Sequence, residues 1–236
     1  MKILVTAGPT REPIDPVRFI SNRSSGKMGY AVAGAAVRLG HETVLVSGPV
    51  ALTPPEKVEV ISVVTAEEML AAVQQRIGWC DALVMAAAVC DWRPRSPCLQ
   101  KIKKLEMSRG LQLKATPDIL RIVRSRKENR IFVGFAAETR DVTKEAQRKL
   151  AEKGLDLIVA NDVSQKDAGF EVDTNRVKLI SADGKCDSLP LMSKNEVAER
   201  IINWIMSKDK NCPPDAGSAK GRTSSPPADI SIDGKR

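Results

Sequence analysis

Aromatic residues make up only 3% of the chain, too few rings to build a platform on which nucleic-acid bases stack. No helix-turn-helix, zinc-finger or RNP spacing is present either. There is one histidine, His41, just after a predicted helix end and without a triad partner nearby, which argues against Ser-His-Asp chemistry. The five cysteines, Cys80, Cys90, Cys98, Cys186 and Cys212, are odd in number and form no CxxC, so neither a disulfide framework nor a zinc site is indicated. No apolar run approaches the roughly 20 residues that cross a bilayer, and the opening MKILVTAG has no basic leader or cleavage site. These absences predict a soluble, cytoplasmic protein with no membrane and no nucleic-acid partner. Its formal net charge of +8 then suits a small substrate bearing several phosphates.

What is present is a regular alternation of apolar runs and helical patterns. The 236 residues suffice for one large α/β domain. KILVTA (2–7) reads as a buried strand; KMGYAVAGAAVRLG has helical spacing and stops at Gly40, a natural left-handed cap. ETVLVSG (42–48), VEVISVV (58–64) and DALVMAAAV (81–89) read as strands, and Thr65 with Glu68 forms a capping box for EEMLAAVQQRI. LQLKA, a helix from Pro117, RIFVGFAAE, a helix from Thr143 to Gly154, and LDLIVAND continue the pattern. The expectation is a Rossmann-like, doubly wound, mostly parallel sheet covered on both faces. RVKLIS and the Asp183-Gly184 turn predict a C-terminal antiparallel hairpin, and Ser193 with Glu196 caps a last helix through Met206. Residues 1–207 form the predicted domain; 208–236, rich in proline, glycine and serine, are expected to be a disordered tail that carries no chemistry.

Candidate chemistry lies in the loops after the strands. Doubly wound folds bind phosphates at the first strand-to-helix turn, but here Gly8 is followed by seventeen residues with three prolines before Gly26 and Gly29. Such a loop is a lid, a substrate clamp or an interface arm. Ser24 or Ser25 is expected to cap the helix, with phosphate binding in addition. Lys101-Ile102-Lys103-Lys104 is either a solvated charged loop or, with Asp91 ten residues earlier, a set of cations around a nucleotide's ribose and phosphates. Thr116-Pro117-Asp118-Ile119 reads as an N-cap followed by proline at the first helical position. Phe135 is either core or the cover of an aromatic ring. Lys149 and Lys153 share a helix face, solvated or reaching a polyphosphate. Asn161-Asp162 ends a buried strand, where a polar pair favours function.

Taken in order, VTAGPTREPIDPVRFISNRSSGKMG, AAAVCDWR, KIKK, TPDI, GFAAET and GLDLIVANDVS resemble the synthetase component of bacterial phosphopantothenoylcysteine synthetases, over roughly Met1 to Met206. The resemblance implies a homodimeric ligase that uses a nucleoside triphosphate, CTP rather than ATP, together with Mg²⁺. It would join 4′-phosphopantothenate to L-cysteine in coenzyme A biosynthesis. The carboxylate would attack the α-phosphate, releasing pyrophosphate, and the cysteine amine would then displace the nucleotide. By position, Asn22 would hold the acyl carbonyl, and Lys101, Lys103 and Lys104 would act at the triphosphate. Gly8, Ser24, Ser25, Gly26, Met85, Ala86, Ala87, Asp91, Phe135, Lys149 and Lys153 would form the nucleotide site, and Pro117, Asp118, Ile119 and Leu120 its floor. The metal ligands are not identified. Cys90 and Trp92 depart from the family pattern. The flavin-dependent decarboxylase fused to most bacterial members is not expected in this chain, so no flavin is implied and decarboxylation would belong to a separate protein.

Two other classes compete. A nicotinamide-dependent reductase would need a tight GxGxxG and an acid after the second strand, where this chain has Ser47-Gly48-Pro49. A non-catalytic binding protein would not need lysines grouped beside Asp91.

Overall fold

The computed structural model describes residues 1–103, 110–138, 140–162 and 172–209; Lys104 and residues 210–236 of the expected tail lie outside them. The first strand, β1 (Lys2–Ala7), leads into a small hairpin, β2 (Arg11–Pro13) and β3 (Phe19–Ser21), and then helix α1 (Lys27–Arg38). Next come β4 (Glu42–Ser47), β5 (Glu59–Ser62), α2 (Ala66–Arg76), β6 (Ala82–Met85), β7 (Trp92–Pro94) and β8 (Leu113–Ala115). After them follow α3 (Ile119–Val123), a 3₁₀ turn at Arg124–Arg126, β9 (Ile131–Glu138), α4 (Val142–Lys153) and β10 (Leu157–Asp162). The chain closes with β11 (Thr174–Asn175), β12 (Val177–Ser181), β13 (Cys186–Ser188), β14 (Met192–Ser193) and α5 (Lys194–Lys208).

Eight strands form one sheet in the order β13-β12-β10-β9-β6-β1-β4-β5. From β5 to β10 all neighbours are parallel; β12 and β13 add antiparallel at one edge, as the Asp183-Gly184 turn requires. Both faces are covered, and so the central parallel strands are largely apolar. Ile3, Val5 and Ala7 point to a core shared with α1 and α5, whereas Leu4 points to a second core under α2, α3 and α4. Close approach of α1 to the sheet depends on Gly29: a Cβ there would lie 2.5 Å from the Ala7 Cβ and 2.9 Å from its Cα. Both capping boxes, Thr65 with Glu68 and Ser193 with Glu196, are formed.

Three local expectations are corrected. The run 81–89 is a strand only to Met85, because beyond it the chain turns to bridge Ala88 to Pro9. LQLKA does not join the parallel sheet. Its strand β8 pairs antiparallel with β7 in a separate ribbon, and with Leu111 and Leu113 exposed it has no buried face to pack. Thr116 does not cap α3, since its amide bonds the Asp91 carbonyl at 3.0 Å and its hydroxyl donates to the Cys90 carbonyl. The helix therefore starts later, with the Asp118 carboxylate accepting the Arg121 amide at 3.2 Å.

The long first loop is a hairpin arm clipped to the body. The Arg11 amide donates to the Val64 carbonyl at 2.8 Å, and buried Glu12 accepts the Ala66 amide, in the first turn of α2, at 2.8 Å. At the arm's turn, the buried Asp15 carboxylate accepts the Val17 and Arg18 amides at 2.9 Å each and pairs with the Arg18 guanidinium. That guanidinium, followed by these amides and that of Ile102, holds Asp15 well below the usual carboxylate range.

Candidate active site

Across the sheet the parallel strands lie in the order β5-β4-β1-β6-β9-β10, so the direction of succession reverses between β1 and β6. The helices that follow those two strands, α1 and α3, pack on opposite faces of the sheet, and the crevice between such connections is the place where open α/β sheets take their ligands. Here the two ends are stitched together: the Ala88 amide donates to the Gly8 carbonyl at 2.9 Å, and Thr10 returns a bond to the Ala88 carbonyl at 3.3 Å. The Thr6 hydroxyl accepts the Ala87 amide at 3.2 Å. A cleft of about 480 Å³ opens above this seam, along the strand ends from β6 to β10.

Asn22 sits where the arm returns to α1. Its Nδ2 donates to the Ala88 and Val89 carbonyls at 3.2 and 3.0 Å, which places the amide on the cleft wall and ties the arm to the β6 loop. Ser24 and Gly26 line the cleft beside it. The expected serine cap is corrected. The N-cap of α1 is Gly26, at φ 78° and with no side-chain cap bond, while Ser24 Oγ accepts the Gly26 amide at 3.4 Å. A Cβ on Gly26 would stand 2.7 Å from Val50 Cγ1, so only glycine fits the turn that starts the helix. Ser25 and Gly8 do not line the cleft. Gly8 lies beneath it at φ +74°, packed on Val50 and Gly48, and serves the seam.

Met85, Ala86, Ala87 and Asp91 supply the β6 side of the cleft, and Pro117, Asp118, Ile119 and Leu120 its floor on the α3 side. Phe135 is half-buried and also lines it. Lys149 and Lys153 reach it from α4, each beside a carboxylate: Lys149 Nζ lies 2.6 Å from Glu138 and Lys153 Nζ 3.5 Å from Asp118. Asn161, at the end of β10, lines it as well, with a buried Oδ1 that has no hydrogen-bond partner among the described residues.

Lys101 and Lys103 are exposed and are not among the cleft-lining residues. The segment between them is held to the arm instead: Asp15 accepts the Ile102 amide at 3.2 Å and Arg18 donates to the Ile102 carbonyl at 3.0 Å. The expected meeting of Lys101 with Asp91 around a ribose is therefore not formed inside the cleft in this conformation.

The cleft also gathers residues that sequence reasoning did not single out: Arg23, Lys27, Met28, Asn175 and Lys194. Lys194 carried a signal. It occupies the first turn of α5, where a positive charge opposes the helix dipole, and it is buried. Burial, then the Lys27 charge, pushes its pKa down to about 8, with Asp173 acting the other way. Asn175 gave no such signal, because it becomes a cleft residue only when β11 folds back beside α1.

Residues 1–208 match the family model described as the DNA/pantothenate metabolism flavoprotein C-terminal domain. The chain is similar to the coenzyme A biosynthesis bifunctional protein CoaBC of Bacillus subtilis (strain 168), at 47% identity over 209 residues, covering 88% of this chain and 52% of that protein. It thus spans about half the length of the curated relatives it matches. Among solved structures, the C-terminal domain of a CoaBC is similar at 44% identity and a TM-score of 0.74, covering 86% of this chain and 93% of that one. The DNA/pantothenate metabolism flavoprotein from Streptococcus pneumoniae superposes with a TM-score of 0.76 at 27% identity, covering 88% and 99%. The chain belongs to the DNA/pantothenate metabolism flavoprotein C-terminal domain family, the family of the C-terminal half of CoaBC.

Proposed function

We propose that the chain is a phosphopantothenate–cysteine ligase, which activates 4′-phosphopantothenate as an acyl-nucleotide and passes the acyl group to the amine of L-cysteine. One observation carries the reading: a single cleft lining brings Asn22 together with Met85, Ala86, Ala87, Asp91, Phe135, Lys149 and Lys153, residues drawn from the arm, the end of β6 and its loop, strand β9 and helix α4. Phe135 and the apolar floor of Ile119 and Leu120 suit a base, and Lys149 and Lys153 suit phosphates. CTP is the proposed nucleotide, with ATP as the alternative.

In the first step the substrate carboxylate attacks the α-phosphorus, the bond to the bridging oxygen breaks, and pyrophosphate leaves. Charge spreads over the phosphoryl oxygens, and lysines stabilise it. Lys101 would reach the triphosphate by movement of its segment together with the arm that holds Ile102. In the second step the cysteine amine adds to the acyl carbonyl, and the nucleoside monophosphate departs as the amide forms. The Asn22 amide would exchange one of its two main-chain acceptors for the oxyanion of that tetrahedral intermediate. No group of three or more His, Cys, Asp or Glu side chains able to hold a metal occurs among the described residues, which fits Mg²⁺ bound mainly through substrate phosphates. Asp91, an exposed carboxylate in the cleft, is the residue that would hold it, where the ion would neutralise phosphate charge.

The exposed apolar side chains Val17, Phe19, Trp92, Leu111 and Leu113 lie on the arm and on the β7–β8 ribbon that packs on it. A second copy of the chain is the proposed cover, giving a homodimer. The decarboxylation that follows ligation would fall to a separate protein if this chain carries no such domain. No described helix is long and apolar enough to cross a membrane. The deciding experiment is turnover with CTP or ATP, phosphopantothenate, cysteine and Mg²⁺, following pyrophosphate and the thiol-containing amide. Absence of both products with either nucleotide overturns the reading.

A further inference from the structure

Among the described residues, the buried side-chain oxygens without a hydrogen-bond partner are Asn161 Oδ1 and Asn175 Oδ1, and both residues line the cleft. Buried polar groups are normally satisfied, and exceptions in a cleft wall point to a ligand. The roles assigned above use neither residue.

Register sets the two on one side of the sheet. Asn161 ends β10 opposite Val177 of β12, and facing residues of an antiparallel pair share a face. Val177 belongs to the core under α1 and α5, as do Leu157 and Val159, which precede Asn161 at two-residue spacing. Asn175 comes two residues before Val177, is 4% exposed, and donates through Nδ2 to the sulfur of Met28, on α1, at 3.6 Å. That contact fixes which way its amide lies: a thioether sulfur accepts and has no hydrogen to give, so the oxygen is the atom left over. Two acceptors therefore stand at the α1 and α5 end of the cleft. They suit a ligand that brings N–H or O–H groups, not an anion.

The layout of the cleft selects among such ligands. Ile119 and Leu120, the floor proposed for the base, lie in the opposite core, and Lys149 and Lys153 stand on α4 at the same side. Asn22, proposed to hold the acyl carbonyl, is bonded to the β6 loop beside the seam with β1. A nucleotide on the α3 and α4 side with its reacting phosphate near Asn22 leaves the acyl chain to run toward α1 and α5. In 4′-phosphopantothenate that chain carries an amide N–H two methylenes from the reacting carboxyl, and a hydroxyl on the carbon next to the amide carbonyl. These are neutral donors a few bonds apart.

We propose that Asn161 and Asn175 form the acyl-chain subsite, their side-chain oxygens accepting the amide N–H and the hydroxyl of the pantothenoyl group. The inference rests on the ligase reading. Both are binding residues, away from the reacting atoms.

Calorimetric titration tests this without requiring turnover. The ligands are 4′-phosphopantothenate, its analogue with hydrogen in place of the hydroxyl, its analogue methylated at the amide nitrogen, and CTP. Asn161→Leu and Asn175→Leu keep a branched side chain and remove the acceptor; should either fail to fold, alanine at the same position removes the acceptor without added bulk. Each variant should weaken 4′-phosphopantothenate about tenfold, the scale of one hydrogen bond with its donor left unmet, and leave CTP unchanged. Each analogue should bind the wild type more weakly than the parent does, and the variant lacking its partner should bind that analogue no worse than the wild type does. Unchanged binding of the parent, the same fold loss for parent and both analogues, an equal loss for CTP, or a wild type that binds no phosphopantothenate overturns the proposal. Amide formation by a wild type whose variants show no such coupling rejects the subsite and keeps the ligase. The coupling in a protein that never forms the amide keeps the subsite and rejects the ligase.

Discussion

The carboxylate of Asp15 accepts the main-chain amide of Ile102 at 3.2 Å, joining two points 87 residues apart in sequence. Arg18, paired with the same carboxylate, donates to the Ile102 carbonyl at 3.0 Å. Both main-chain groups of Ile102 are thus used by the arm, which fixes the backbone between Lys101 and Lys103. The arm is in turn tied to the β6 loop through Asn22. The arm and the segment around Ile102 are therefore joined through main-chain hydrogen bonds.

Lys101→Gln should slow acyl-nucleotide formation by about 10²-fold, the usual scale for losing a donor that acts on transition-state charge. The side chain is exposed, so the melting temperature should not change. The readout is pyrophosphate release without cysteine. A wild-type rate would leave Lys101 as surface charge.

Asn22→Asp replaces a donor by a carboxylate that faces the Ala88 and Val89 carbonyls. Some loss in the first step is expected from this repulsion, within about tenfold, whereas the second step should fall about 10²-fold or more as oxyanion stabilisation is lost. Mass spectrometry after mixing with nucleotide and phosphopantothenate should show the acyl-nucleotide accumulating, and cysteine should discharge it slowly. Equal losses in both steps with no accumulated intermediate would reduce Asn22 to a tether of the arm.

Acid should act on the arm through Asp15. Its folded pKa is depressed, so its stabilisation is complete above the unfolded value near 4 and is lost as pH falls through the lower folded value. Urea midpoints of wild type and Asp15→Asn should differ at pH 7 and pH 5 by the same amount and converge only below about pH 4. Convergence already at pH 6 would place the carboxylate outside the clamp.

Gly29→Ala adds a methyl 2.5 Å from the Ala7 Cβ and 2.9 Å from the Ala7 Cα and Thr6 carbonyl. The backbone of β1 cannot yield cheaply, so α1 must shift outward, at a cost of about 1–3 kcal/mol, typical of overpacking. Denaturant unfolding measures the loss, and an unchanged midpoint would mean that the helix is not seated as described.

The sequence by itself determined the architecture. Buried parallel strands are apolar on both faces, and capping boxes such as Thr65 with Glu68 and Ser193 with Glu196 are local chemistry, so both are legible without neighbours. Most cleft residues were legible for a related reason: they sit where strands end, and in a doubly wound sheet strand ends converge. Local reasoning failed where a side chain is claimed from a distance. Thr116 was spent on Cys90 and could not cap, and Gly26 lay too near Val50 for anything but a glycine turn. Only the tertiary structure decided that Asp15 would hold Ile102 and keep Lys101 outside the cleft. It alone brought Lys194 and Asn175 beside Lys27, since the three meet through the packing of α5 and β11 against α1. Hydrogen bonds and charges between segments far apart in sequence leave no periodicity to read; they exist only once the chain has closed on itself.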